Sequence, residues 1–111
     1  MKNNLQSLYE ARATVLKALA HPTRLFIIDE LQKQERCVGE LTQMIGADFS
    51  TVSKHLTILK NAGLIHDDKR GNLIFYSIKV PCVTDFFTCI ETVLESNMNS
   101  QMEIIQCCKR K

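Results

Sequence analysis

The stretch Val38–Gly63, VGELTQMIGADFSTVSKHLTILKNAG, decides the fold. Two short segments with apolar residues at helical spacing are separated by a tight polar turn around Gly46, the pattern of a helix-turn-helix. In the second segment Val52, Leu56, Leu59 and Ala62 share the core-facing side, while Ser50, Thr51, Ser53, Lys54 and His55 crowd the first turns on the other. Asp48 is placed to cap this helix by accepting from the amide of Thr51, and Gly63 suits a left-handed stop. Short hydroxyl-bearing residues with a cation beside them are what a helix needs to sink into the major groove of DNA. Any solvated helix face carries the same residue types, so the continuation of the chain has to decide.

That continuation is LIHDDKRGNLIFYSI, in which two runs, Leu64 to His66 and Leu73 to Ile78, are joined by Asp67, Asp68, Lys69, Arg70, Gly71 and Asn72. It reads as a β-hairpin with a basic tip. Helix, turn, helix and then a cationic hairpin make a winged helix, whose hairpin lies along the DNA backbone or reaches an adjacent minor groove. The expected fold is mainly α with a small β-hairpin: five helices plus a two-stranded wing, dimeric.

Working outward, Leu5, Leu8, Val15 and Leu19, flanked by Tyr9, Ala13 and Leu16, give a first helix ending near Ala20. His21, Pro22, Thr23 and Arg24 break and restart the chain, because proline is tolerated in a first turn but not in a helix interior. Leu25, Ile28 and Leu31 carry a second helix to about Lys33. The third, Val38 to about Ile45, buries Val38, Leu41 and one of Met44 and Ile45. After the wing, Val83, Phe86, Phe87, Ile90, Val93 and Leu94 recur at intervals of three and four, a fifth helix with a broad apolar face that wants a partner. The first and fifth helices (5–20 and 81–96) therefore pair across a two-fold axis in a homodimer. One domain spans 1–96, and a cysteine-containing tail occupies 97–111.

Composition sets bounds. At 111 residues the chain suits a single domain, and 45% hydrophobic with 23% charged residues argues for a folded one. A net charge of +2 is too weak to hold DNA in bulk, so affinity has to come from locally placed cations doubled in a dimer. No apolar run approaches the roughly 20 residues of a membrane span, and MKNNLQSLYEAR lacks a signal-peptide core, so a cytoplasmic protein without membrane partners is expected. There is no paired acid–base constellation, no phosphate-cradling glycine loop and no cysteine with a histidine at motif spacing, which argues against an enzyme.

The segments ALAHPTRLFIIDEL, ERCVGELTQMIGADFSTVSKHLTILKNAGLI and DDKRGNLIFYSI resemble the ArsR/SmtB family of metal- and metalloid-responsive winged-helix repressors over about Leu16 to Leu94. The resemblance implies a homodimer that sits on a double-stranded DNA operator and is released by a small inorganic inducer bound to thiolates or imidazoles of the third or fifth helix. It assigns recognition to Ser50, Thr51, Ser53, Lys54 and His55, wing contacts to Lys69, Arg70 and Asn72, and inducer binding to Cys37. Two departures matter. Many arsenic-sensing relatives have a second cysteine two residues after the first, where this chain has Gly39. The fifth-helix segment VPCVTDFFTCIETVLES has no histidine, unlike zinc-sensing relatives.

Five cysteines in a reducing compartment are not a disulfide framework, and an odd number leaves one over in any pairing. Cys82 and Cys89 share a face of the fifth helix but lie ~10 Å apart along it, at 1.5 Å rise per residue. A thiolate–metal bond is about 2.3 Å for zinc, so joint coordination requires the partner's helix, where Cys82 meets Cys89 across an antiparallel pair, or Cys37. Free cysteine also fills interfaces as a small apolar residue, the competing role for Cys89. Cys82 follows Pro81 at a helix start, where the amide dipole favours an anion. Cys107 and Cys108 diverge by about 100° in a helix, but in a flexible tail could clamp a soft ion. No obligatory cofactor is expected; As(III), Sb(III), Cd(II) and Zn(II) are the candidate inducers, the first three preferring sulfur donors. A rival keeps the DNA binding and makes the inducer an oxidant or reactive sulfur species. A third option is a winged-helix protein-interaction module.

Overall fold

The computed structural model describes residues 3–97. The elements run α1 (Asn3–Leu19), α2 (Pro22–Lys33), β1 (Arg36–Cys37), α3 (Val38–Ile45), α4 (Phe49–Asn61), β2 (Ile65–Arg70), β3 (Leu73–Ile78) and α5 (Val83–Asn97). The chain divides between Val80 and Pro81 into two compact units, the first holding α1 to β3 and the second α5. Five helices and a wing match the expected architecture. The sheet, however, has three antiparallel strands in the order β1-β3-β2, because Arg36 and Cys37 pair with Tyr76 and Phe75. A two-residue strand has no periodicity of its own, so only the tertiary pairing defines it.

The core of the first unit is built from Ala18 and Leu19 of α1, Ile27, Ile28 and Leu31 of α2, Cys37, Leu41 of α3, Val52, Leu56 and Leu59 of α4, and Leu64 and Ile65 leading into β2. In α2 the expected inward residue Leu25 stays partly exposed and Ile27 takes its place; four apolar residues in a row, Leu25–Ile28, leave the phase of the helix open in sequence. In α3, Ile45 is half-buried and Met44 exposed. Glu30 is buried, but its carboxylate meets Lys33 at 3.0 Å and Arg36 at 3.6 Å, and Arg36 reaches Glu40 at 3.3 Å. Paired in this way a buried carboxylate is tolerated, and the chain of charges ties α2 to α3 across β1.

Leu5, Leu8, Tyr9 and Leu16 leave an apolar stripe exposed on α1. In the second unit α5 buries none of its residues, and Phe86, Ile90 and Val93 are exposed. No helix among the described residues is long and apolar enough to cross a membrane. Cys107, Cys108 and the tail beyond Asn97 lie outside the described residues.

Candidate nucleic-acid interface

Both ends of α4 are fixed by local chemistry. Asp48 Oδ1 accepts from the Thr51 amide at 3.2 Å, and the Thr51 hydroxyl and amide together hold the Asp48 carboxyl below its usual range. At the other end Gly63, at φ +84°, donates to Lys60 O, and the Leu64 amide donates to Leu59 O. These two bonds form a Schellman motif, which a residue in the left-handed region closes without strain only when it is glycine. Gly46, at φ +78°, donates to Thr42 O and turns the chain between α3 and α4.

With Val52, Leu56 and Leu59 fully buried, the opposite side of α4 is presented outward. Ser50, Thr51 and Lys54 are exposed and Ser53 half-exposed, and Lys54 has no ion pair among the described residues. Ser50, Ser53 and Lys54 line one open groove, and Thr51 is exposed in the same first turns of the helix. His55 stands apart: its ring is half-buried 4.5 Å from the ring of His21, and its Nδ1 is buried without a partner. Burial, His21 and Arg24 in that order push its pKa below the ordinary histidine value. His21 in turn is the N-cap of α2, its Nδ1 accepting from the Thr23 amide at 3.1 Å.

The wing differs from expectation. Pairing continues from Ile65↔Ile78 to Arg70↔Leu73, so Asp67, Asp68, Lys69 and Arg70 are strand residues, not a loop. The connection is Gly71 and Asn72 alone; Gly71 has φ +63° while Asn72 has negative φ, as in a type II′ hairpin turn. Charged residues on both faces hid this strand, because the alternation that marks a strand comes from one buried face. The tip is also not freely basic. Arg70 Nη1 and Nη2 donate to Glu35 Oε1 and Oε2 at 2.7 and 2.9 Å, Nε donates to Asp68 at 2.9 Å, and the guanidinium lies 4.7 Å from the Phe75 ring centroid. The pairing holds the Glu35 carboxyl low and raises the Arg70 pKa further. Lys60 pairs with Asp67 at 2.9 Å. Lys69 is exposed and without an ion pair among the described residues, and Asn72 is exposed at the turn.

Cys37 is buried and is the N-cap of α3 as well as the last residue of β1. Its amide donates to Glu40 Oε1 at 3.0 Å, and this bond, with one from the thiol, lowers the Glu40 pKa. Cys82 and Cys89 are exposed thiols. Among the described residues no three of His, Cys, Asp and Glu converge as a metal site.

Phe49, the first residue of α4, is a further residue of this surface that sequence reading passed over. It is 59% exposed and lines an open groove with Ser50, Ser53, Lys54, Thr57 and Ile58.

Residues 21–67, from the His21 cap through α4 into the wing, match the family model described as bacterial regulatory protein, arsR family. The regulator YgaV of Escherichia coli is 36% identical over 90 residues, 80% of this chain and 91% of the relative. Among solved structures, NolR from Sinorhizobium fredii superposes with TM-score 0.76 at 29% identity, covering 84% of this chain and 93% of NolR. A homodimeric winged helix-turn-helix DNA-binding domain, Mb0332 from Mycobacterium bovis, gives 0.74 at 30% identity over 86% and 88%. With the helix pair, wing and outward face of α4 in place, the chain belongs to the ArsR family of transcriptional regulators, built on a DNA-binding winged helix-turn-helix, and is not an enzyme.

Proposed function

We propose that this regulator is a cytoplasmic homodimeric repressor, released from its operator by an inducer that binds thiolates. The observation that carries the DNA side is the outward face of α4, where Ser50, Thr51, Ser53 and a Lys54 without an ion pair among the described residues stand over a fully buried Val52, Leu56 and Leu59. Hydroxyls supply the base-edge contacts and Lys54 a phosphate contact, with Lys69 the free cation of the wing. The uncovered apolar residues of α1 and those of α5 supply the dimer surfaces, a reading supported by the similar Mycobacterium bovis domain being homodimeric. Two copies of α4 read successive major grooves when they stand about one turn, ~34 Å, apart.

On the inducer side, Cys37 supports the reading because it joins the sheet to α3, the helix that carries α4. Ligation there works against the Glu40 contact and the β1–β3 pairing together. A coupling of order 1–3 kcal/mol weakens the operator complex about 5- to 150-fold. The candidate inducers are As(III), Sb(III), Cd(II) and Zn(II). The exposed thiols of Cys82 and Cys89 favour a second reading, in which an oxidant or reactive sulfur species is the signal.

The test is a binding titration on the DNA upstream of the chain's own gene, repeated with arsenite, cadmium, zinc and a persulfide donor. Release by a metal with a thiolate charge-transfer band supports the first reading, and release by the persulfide donor without such a band supports the second. No binding in any state would overturn both.

A further inference from the structure

Phe49 is an anomaly on its own surface. It opens α4 at 59% exposure, above every other exposed large hydrophobic residue of the described chain, although its helix buries Val52, Leu56 and Leu59 completely. It belongs to the groove lined also by Ser50, Ser53 and Lys54, together with Ile58, which is exposed as well. A phenylalanine in water at the mouth of a polar recognition face gains nothing for the isolated chain, since its contribution to folding comes only from area removed from solvent. The feature makes sense when a partner covers it, and the residues around it state the chemistry of that partner: hydroxyl donors, one free cation and one flat apolar ring within the first two turns of a helix.

We infer that Phe49 is a specificity-determining residue that packs on the C5-methyl groups of thymines in the major groove. This deepens the reading of the chain as a DNA-binding repressor and rests on it. Among the base edges of the major groove thymine alone presents a methyl group, and apolar side chains read it by contact. The position fits, because the N-terminal residues of a recognition helix are the ones that reach base edges. Ser50 and Ser53 then take the hydrogen-bonding edges beside the methyl, and Lys54 the phosphate. The operator so read carries thymine at the step faced by the start of α4 in each half-site.

The test uses the full chain and the tightest-binding duplex it selects from a randomised pool. Each thymine of the half-site is replaced in turn by deoxyuracil, which lacks only the methyl. For the native chain, one or two of these replacements weaken binding by about four-fold each, the value of one buried methyl group. Phe49→Ala binds the thymine duplex at least as weakly as the native chain binds the deoxyuracil duplex, and no longer distinguishes the two. Phe49→Leu, still apolar, keeps part of the discrimination. Thermal midpoints of the variants check that folding is intact, as the exposure of Phe49 predicts.

Equal binding of all thymine and deoxyuracil duplexes by the native chain overturns the assignment while leaving the repressor reading standing. So does a Phe49→Ala loss that is the same on every duplex, or a loss confined to self-association at constant DNA affinity, which would make Phe49 a contact between copies. If the pool yields no preferred duplex at all, it is the repressor reading that fails.

Discussion

Replacing Glu35 by glutamine is expected to strengthen operator binding and to make it more sensitive to salt. In the free protein Arg70 is fully engaged: two nitrogens on Glu35, the third on Asp68, and its plane against Phe75. Together with Lys60, Asp67 and Lys69 these groups sum to zero charge, three cations against three carboxylates. The wing therefore meets DNA with Lys69 alone, and Arg70 has to leave Glu35 to contact a phosphate. Each phosphate neutralised adds about 0.9 to the slope of log affinity against log salt. Freeing Arg70 in Glu35→Gln thus adds ~0.9, so that between about 50 and 200 mM salt the variant loses roughly 3.5-fold more affinity than the native chain. Fluorescence anisotropy on a labelled operator over that salt range measures both slopes. Lys54→Ala, expected to lower the slope by ~0.9, calibrates the assay. The double variant Glu35→Gln/Arg70→Ala should fall back to the slope of Arg70→Ala. A native slope in Glu35→Gln, with a reduced one in Arg70→Ala, would refute the reasoning, because Arg70 would then already reach phosphate past its carboxylate.

Leu59→Ala empties a fully buried site on the inner face of α4 and should cost about 2–5 kcal/mol, lowering the thermal midpoint by more than about 10 °C at fixed protein concentration. Gly63→Ala keeps every contact but forces a side chain into the left-handed region at φ +84°, with an expected loss of about 1 kcal/mol by denaturant titration. The His55 pKa is lower in the folded than in the unfolded chain, so the unfolded state takes up the proton first. Stability from this group is present above the ordinary value of 6.5 and is lost as pH falls through it toward the folded value. His55→Gln should flatten the acid side of the stability profile, and an unchanged profile would exclude His55 as its source. A Cβ at Gly39 would lie 3.9 Å from Cys37 Sγ, an ordinary contact. Gly39→Cys should therefore create the adjacent thiol pair that this chain lacks, read as a new cadmium–thiolate absorption absent from Gly39→Ala.

The parts of the fold legible in sequence are those decided by neighbours along the chain. The bounds of α3, the Asp48 cap, the Gly63 stop and the inward set Val52, Leu56 and Leu59 follow from spacing and local hydrogen bonding. What stayed hidden depends on distant partners. Glu35 and Arg70 are 35 residues apart, so an arginine that reads as free in sequence is paired in space. Arg36 and Cys37 become a strand only by pairing with β3. His55 is polar by residue type, but it lies one turn before Leu59 on the flank of α4 that faces inward, where α2 brings His21 against it. Phe49 stands in the first turn of its helix, where spacing alone does not place an apolar residue inside or outside, and the fold leaves it outside.

The burial of Cys37, at 9% exposure between its ladder neighbour Phe75 and the reaching carboxylate of Glu40, makes this thiol selective by size. Neutral As(OH)3 or a bare ion needs a smaller opening than a dye-bearing maleimide, which must wait until the junction breathes. The speed of its alkylation against that of the open Cys82 and Cys89 becomes a clock for that breathing. A signal molecule that quickens the clock opens the junction of β1 and α3, and one that stops it has occupied the Cys37 thiol.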